Sequence, residues 1–101
     1  MNITIDFQNG QLVAAIIGDL DNAASTVAER SLAPIYERSD CDVVIDCSQL
    51  DYISSSGLRI LLNIYKHVRA HKHETFLKGL KSDVAEVFNL SGFLQLFKTI
   101  D

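Results

Sequence analysis

Apolar and polar residues alternate at the start of the chain, with Ile3, Ile5 and Phe7 separated by polar positions. This period of two predicts a β-strand with one buried face. An Asn-Gly pair follows at 9–10, and because both residues tolerate positive φ it predicts a tight hairpin turn. The returning strand over 12–17 is apolar on both faces. We therefore expect it to lie in the centre of a sheet.

A helix follows this hairpin. The segment 18–22 predicts a turn, in which Asp21 or Asn22 caps a helix that begins near Ala23. Pro34 removes one helical hydrogen bond, so it predicts a kink or a division of that helix. The apolar positions of the helix recur every three to four residues and comprise Ala24, Val27, Ala28, Leu32 and Ile35.

A second helix gives the clearest pattern in the chain. The first helix is expected to end near Ser39, and a short β-branched run within 42–47 then predicts a buried strand. From position 58 onward apolar residues recur at 58, 61, 62, 65 and 68, while Arg59, Asn63 and Lys66 share the opposite face. This spacing is typical of an amphipathic helix.

The last third of the chain predicts another strand and helix. Residues 75–77 form the strand, Ser82 caps the helix, and Gly92 ends it. Residues 93–100 supply a last short strand or a docked tail. The order ββαβαβα(β) predicts an α/β fold with a mixed sheet, an N-terminal hairpin, parallel crossovers and three main helices. With 101 residues, we expect a single domain over 1–101.

Charge and composition exclude several kinds of partner. Nine Lys and Arg against thirteen Asp and Glu give a net charge of −4, which does not suit a nucleic-acid partner. The longest apolar run, residues 12–17, is far shorter than the roughly 18 residues that span a bilayer. We expect a cytoplasmic protein without membrane insertion. Cys41 and Cys47 flank one extended segment, so we expect free thiols.

Three hydroxyl side chains, Ser54, Ser55 and Ser56, precede Gly57 between the buried strand and the clearest helix. Unpaired backbone N–H groups and the positive end of the helix dipole would stabilise a phosphate there. The simpler interpretation, which the residue types by themselves favour, is that one serine caps the helix and the others fill a turn. The residue types alone leave both interpretations open.

A wider pattern resembles a known family. The segments 43–50 and 52–58, with the Gly-Asp-Leu-Asp turn at 18–21 and the residues from 78 to 93, closely resemble the STAS domain of bacterial anti-sigma factor antagonists. The resemblance covers nearly the whole chain and implies a STAS-like fold. In that family the serine directly before the glycine is phosphorylated, and here that serine is Ser56.

The resemblance also implies partners. An anti-sigma factor of histidine-kinase-like ATPase fold phosphorylates the serine, a metal-dependent phosphatase restores it, and the unphosphorylated form binds the anti-sigma factor and frees a sigma factor. We expect the partner to contact the loop at 54–56, here called the phosphorylation loop, the turn at 18–22 and the first turns of the helix that follows the loop. The predicted contact residues are Asp21, Asn22, Ser54, Ser55, Ser56, Gly57, Leu58, Arg59 and Asn63.

One departure keeps a second function open. Phosphorylated family members commonly carry Asp two residues before the acceptor, where this chain has Ser54. The alternative is a STAS subunit that is not phosphorylated and binds the ATPase of a lipid-transport complex. Asp21 still matches the acidic residue that the family has in the neighbouring loop.

Catalysis and metal binding are less favoured. A serine hydrolase needs glycines on both sides of its nucleophile, and the triplet is followed by a single glycine. His67, His71 and His73 have a spacing that can bind zinc, but their place near a helix end suits capping and dipole interactions better. Asp19, Asp21, Asp46 and Asp51 border the predicted strand ends, where they either gather near the serines or serve as turn residues. We expect no enzyme activity, cofactor or metal.

Overall fold

The computed structural model describes residues 1–38 and 40–101, and in these residues six strands and three helices surround one hydrophobic core. In chain order the elements are β1 (Asn2–Gln8), β2 (Gln11–Leu20), α1 (Ser25–Tyr36), β3 (Val43–Asp46), β4 (Leu50–Ile53), α2 (Ser55–Ala70), β5 (Thr75–Lys78), α3 (Ser82–Leu90) and β6 (Lys98–Ile100). The predicted α/β fold with a mixed sheet is confirmed.

The sheet has the strand order β1-β2-β3-β5-β6, and β4 pairs with β2 beside this path. The β1–β2 pair is antiparallel, and the other pairs are parallel. Asn9 and Gly10 have φ values of 53° and 77° and close the hairpin between paired Gln8 and Gln11. The N-terminal hairpin, the parallel crossovers and the central position of β2 are confirmed.

Strand β4 was not predicted, and the turn predicted over 18–22 is wrong in its first part. Strand β2 continues to Leu20, but its pairing changes at Gly18, which has a φ of 98°. The register shifts between Gly18 and Asp19, so that the end of β2 pairs with β4 rather than β3. Glycine adopts this positive φ at little cost, which lets the strand change partners without ending.

Helix α1 begins two residues later than predicted. Its N-cap is Ala24, whose side chain forms no capping hydrogen bond. In the turn before the helix, the Asp21 carboxylate accepts the Ala24 N–H at 2.9 Å. Pro34 lies within the last turn and does not divide the helix. The predicted inward position of Val27 is wrong, since that side chain is 51% exposed. The expected boundary near Ser39 lies outside the described residues.

Helix α3 also differs at its start. Ser82 is the first helical residue and not the cap, a position that Lys81 occupies without a side-chain hydrogen bond. Gly92, with a φ of 79°, follows the end of the helix, and the Phe93 N–H returns to the Phe88 carbonyl at 3.0 Å. This closing pattern is typical of a glycine-terminated helix. Of the two alternatives for residues 93–100, the short strand is correct, and this strand β6 pairs with β5.

All three helices bury residues in one core on one face of the sheet, including Leu32, Leu61 and Phe88. Leu62, which the helical spacing placed beside Leu61, is only half-buried. Cys41 and Cys47 are free thiols, as predicted, and both are buried. Burial raises the pKa of Cys47 to about 12, with the Asp46 charge as a smaller cause, so its thiol stays protonated at neutral pH. No helix among residues 1–38 and 40–101 is long and apolar enough to cross a membrane.

Candidate functional site

The turn between β4 and α2 is fixed by Ser54. The Ser54 side chain accepts the Gly57 N–H at 3.2 Å and so caps the helix. Its own backbone N–H donates to the carbonyl of Leu20 at 2.9 Å. Ser54 is 8% exposed. One serine of the triplet therefore has a structural role that ties the helix start to the end of β2.

Gly57 allows α2 to lie directly on β2. A Cβ atom at this position would lie 2.8 Å from Leu20 Cγ and from Ile53 Cγ1, and 3.0 Å from the Leu20 carbonyl oxygen. Ordinary side chains do not approach each other so closely. The requirement for glycine thus comes from this contact, because Gly57 itself has an ordinary helical backbone.

Ser55 and Ser56 remain available for chemistry. Ser55 is exposed and Ser56 is half-buried. Within residues 1–38 and 40–101, neither hydroxyl has a hydrogen-bond partner, and neither do the backbone N–H groups of these two residues. Free N–H groups at a helix start, together with the helix dipole, attract an anion. The site is thus chemically suited to a phosphate carried by one of these serines.

Leu20 brings the neighbouring loop to this helix start. It contacts Gly57, its carbonyl binds the Ser54 N–H, and Asp21 follows it directly in the chain. Asp21 is held by its bond to Ala24, while exposed Asn22 accepts the Ser25 hydroxyl at 2.8 Å through its carbonyl. The two predicted loops therefore lie side by side.

Three of the four acidic residues named above share one surface depression. Asp19, Asp21 and Asp51 line an open cavity of about 570 Å³ at the end of β2, and Asp51 also forms an ion pair with Lys81. Asp46 does not line this cavity. Its carboxylate accepts the Ser48 hydroxyl at 2.7 Å instead. These carboxylates do not form a metal-binding group among the described residues.

Helix α2 exposes a polar ridge with a groove on each side. Arg59 and Asn63, one turn apart, are both exposed. A groove of about 230 Å³ separates Arg59 from Phe93, and a second groove of about 240 Å³ lies between Asn63 and Tyr36 of α1. Neither groove could be predicted from the sequence, because the walls of each groove come from elements that are distant in the chain.

Not every predicted contact residue reaches the surface. Ser54, Gly57 and Leu58 are buried, so they shape the loop and offer little area to a partner. The residues that the structure brings together and leaves accessible are Asp21, Asn22, Ser55, Ser56, Arg59 and Asn63. We call this set the α2 surface.

The three histidines lie away from the helix start. His67 Nε2 is 3.2 Å from the Arg38 carbonyl, and His71 Nδ1 is 2.9 Å from the His67 carbonyl. His73 instead contacts the Asp42 carboxylate at 3.1 Å. The rings of His67 and His71 lie 4.5 Å apart between centroids, whereas His73 bonds to Asp42. The three histidines do not form a metal-binding group among the described residues.

Comparison with known proteins gives the family. The STAS domain model matches residues 2–101. The protein BtrV of Bordetella bronchiseptica, named as a candidate anti-sigma factor antagonist, is 40% identical over 96% of this chain and 84% of its own length.

Solved structures agree on the fold. A candidate anti-sigma factor antagonist from Thermotoga maritima superposes with a TM-score of 0.87 at 14% identity, covering 98% of this chain and 86% of its own. The Bacillus cell fate determinant SpoIIAA in its phosphorylated form gives a TM-score of 0.73 at 17% identity, covering 97% and 90%. With the family model and the BtrV match, these likenesses lead to one conclusion: the chain belongs to the STAS domain family, among the bacterial anti-sigma factor antagonists.

Proposed function

We propose that this anti-sigma factor antagonist is switched by phosphorylation of Ser56. The observation that carries the proposal is the division of roles within the serine triplet. Ser54 is buried and caps α2, whereas Ser56 has a free hydroxyl beside unpaired backbone N–H groups. Family resemblance favours Ser56 over Ser55, because Ser56 directly precedes the glycine.

The fold should tolerate a phosphate on Ser56. A phosphoserine adds about −1.5 to −2 charges, which the helix dipole and the free N–H groups stabilise. Arg59 lies three residues further along α2, the spacing at which two helical side chains meet. Arg59 forms no ion pair with any described residue, so its guanidinium is free to pair with the phosphate.

Partner binding should respond in the opposite direction. The phosphate would have to lose its water on association and would face the nucleotide phosphates of an ATPase partner. Pairing with the phosphate would also withdraw Arg59 from the partner. Both effects weaken binding, so we infer that the unphosphorylated form binds the anti-sigma factor and frees the sigma factor.

Replacement of the family's Asp by Ser54 changes charge more than capping. Ser54 accepts the Gly57 N–H at the helix start, and an aspartate there accepts the same kind of bond. The helix cap is therefore retained, while one negative charge near the acceptor is lost. This supports a phosphorylation loop of the family's shape with a different local potential.

The partners follow from the same proposal. We expect a serine kinase of histidine-kinase-like ATPase fold, which is the anti-sigma factor, and a metal-dependent phosphatase that removes the phosphate. The proposal is supported by SpoIIAA, a protein of the same fold that has been solved in a phosphorylated form. In the proposed role the chain acts in the cytoplasm, by binding and without catalysing a reaction.

Phosphorylation of Ser56 should abolish partner binding and leave the fold intact. The protein is incubated with candidate kinase and ATP, the modified residue is identified by mass spectrometry, and partner affinity and melting temperature are measured for both forms. Ser56→Ala should block modification, whereas the matched variant Ser55→Ala should still be modified. Phosphate found on Ser55 alone, or equal affinity of both forms, would refute the assignment.

Charge reversal at Arg59 should weaken partner binding without affecting stability. Arg59→Glu places a negative charge in the middle of the α2 surface, while its exposure predicts a stability change within about 0.5 kcal/mol. Lys66→Glu is the matched control, because Lys66 is exposed two turns further along the same helix face. Isothermal titration with the partner tests this, and equal affinities for Arg59→Glu and wild type would contradict the placement of the α2 surface.

The alternative is a STAS subunit of a lipid-transport complex that binds the transporter ATPase without phosphorylation. The name of BtrV favours the anti-sigma role, and the accessible Ser56 agrees with that role. Identifying the ATPase that copurifies with the tagged protein distinguishes the two functions. A transporter ATPase bound equally well by Ser56→Ala and wild type would favour the alternative.

A further inference from the structure

One face of the sheet carries no helix in residues 1–38 and 40–101. On the side that the three helices cover, Leu12, Val43 and Leu77 of the strands lie in the core. Side chains alternate along a strand, so the next residues, Val13, Val44 and Lys78, lie on the opposite face. Val44 is buried but does not belong to the core cluster. The sheet is thus covered on one side only.

The strand register aligns five residues in one row across this uncovered face. Asp6 is paired with Val13, and Val13 with Val44. Val44 is paired with Phe76, and Phe76 with Lys98. The row therefore runs from an acidic residue through three apolar residues to a basic residue, with Val44 on the central strand β3.

The surroundings of the row are also partly apolar. Val13 and Phe76 are half-buried. A depression of about 230 Å³ beside Val13 and Val44 has a mixed border of Ile100 and the polar residues Gln8, Asn9, Gln11, Lys78 and Asp101. Asp6 and Lys98 are exposed at the two ends of the row. The Asp6 carboxylate accepts the Gln8 amide at 2.9 Å, and Lys98 Nζ lies 3.9 Å from the Glu74 carboxylate. An apolar centre with charged ends is the usual arrangement of a protein interface.

We propose that this uncovered sheet face docks a second copy of the chain, with a two-fold axis parallel to β3 at Val44. Such a rotation places β1 over β6 and β2 over β5 of the other copy. Asp6 then faces Lys98 of the second copy, and Val13 faces Phe76. The contact is isologous, because each copy supplies both the acidic and the basic end. A row with opposite charges at its two ends is complementary to itself in this orientation.

The neighbouring row carries charges of both signs close to the proposed axis. It contains Ala15 on β2, Asp46 on β3, Lys78 on β5 and Ile100 on β6. The two Asp46 carboxylates meet near the axis, and Lys78 of each copy lies one strand away on either side. The like charges are therefore flanked by two lysines.

The size of the face indicates a weak dimer. Five strands at roughly 4.8 Å spacing extend over about 19 Å, and three to four residues along each strand add only about 10 to 13 Å. An interface of this extent belongs to the small, transient class. Helix α2 lies on the other side of the sheet, so the dimer leaves the α2 surface accessible to a partner.

The test measures molar mass by sedimentation equilibrium from about 10 µM to about 1 mM, the range of weak association. We expect wild type to approach the dimer mass at high concentration. Asp6→Lys and Lys98→Asp should each raise the dissociation constant about tenfold, because the altered contact occurs twice in a dimer. The double variant Asp6→Lys/Lys98→Asp should recover most of the association.

This recovery identifies a contact between copies, since Asp6 and Lys98 lie on opposite edges of one sheet, about 19 Å apart. Glu86→Lys and Lys66→Asp, exposed on the helices, are the charge-matched controls and should associate as wild type does. Melting temperatures verify that every variant is folded. A monomer mass at all concentrations, or a double variant no better than the single ones, would overturn the proposal.

Discussion

Replacing Leu61 with alanine should lower the free energy of unfolding by about 2 to 5 kcal/mol. Leu61 is fully buried in the core between α2 and the sheet. The substitution removes apolar contacts and leaves a cavity that the surrounding strands and helices cannot fill completely. Denaturant unfolding of both proteins, with a shift in midpoint at constant slope, measures the difference.

Leu62→Ala is the matched control, since it makes the same chemical change one position along the helix. Leu62 is half-buried and lines the groove beside Phe93, so its loss should cost roughly 1 kcal/mol or less. If Leu62→Ala proved the more destabilising of the two, the orientation of α2 on the sheet would be wrong.

Replacing Gly57 with alanine should destabilise the protein by about 1 to 3 kcal/mol. In an open helix position alanine would be favoured over glycine by about 1 kcal/mol. Here the added methyl group meets Leu20 Cγ and Ile53 Cγ1 at 2.8 Å and the Leu20 carbonyl oxygen at 3.0 Å. The helix start must move away from β2, which also displaces the loop that holds Asp21. Partner affinity should therefore fall together with stability.

Ser55→Ala is the matched control, because it changes the same helix turn at an exposed residue that does not pack against β2. It should change stability by less than about 0.5 kcal/mol. Thermal and denaturant unfolding, with titration of the partner, compare the two variants. A Gly57→Ala protein as stable as Ser55→Ala would show that α2 does not approach Leu20 as closely as described.

Local sequence patterns were sufficient to predict those elements whose own residues show a regular apolar spacing or a turn motif. The period of two in β1, the Asn-Gly turn and the apolar spacing of α2 each arise from residues near one another in the chain, and all three elements were predicted. Their buried faces were predicted less well, since Phe7 is 49% exposed and α2 also buries Ile60 and Ile64. Burial of a continuous apolar stripe stabilises such elements in almost any tertiary context.

Other features depended on contacts between distant segments. Strand β4 has apolar residues only at its ends, Leu50 and Ile53, so it lacks an alternating pattern. It forms because Gly18 shifts the register of β2 and frees the last residues of that strand for pairing. A strand stabilised by such a pairing has no local signature.

In the candidate site, too, some features follow from the local sequence and others from contacts between distant segments. The sequence alone determines that three serines precede a glycine at the start of a helix. It therefore also determines a place that suits a phosphate. Which serine caps the helix was decided by the tertiary structure, because the Leu20 carbonyl binds the Ser54 N–H and buries that residue. Judged from the local sequence, the three hydroxyls are nearly equal as helix caps. Contact with β2 gives the three serines different burial and different hydrogen bonds. The same contact makes Gly57 necessary and leaves Ser56 accessible, since only a packed neighbour can exclude a side chain from one position and not from the next.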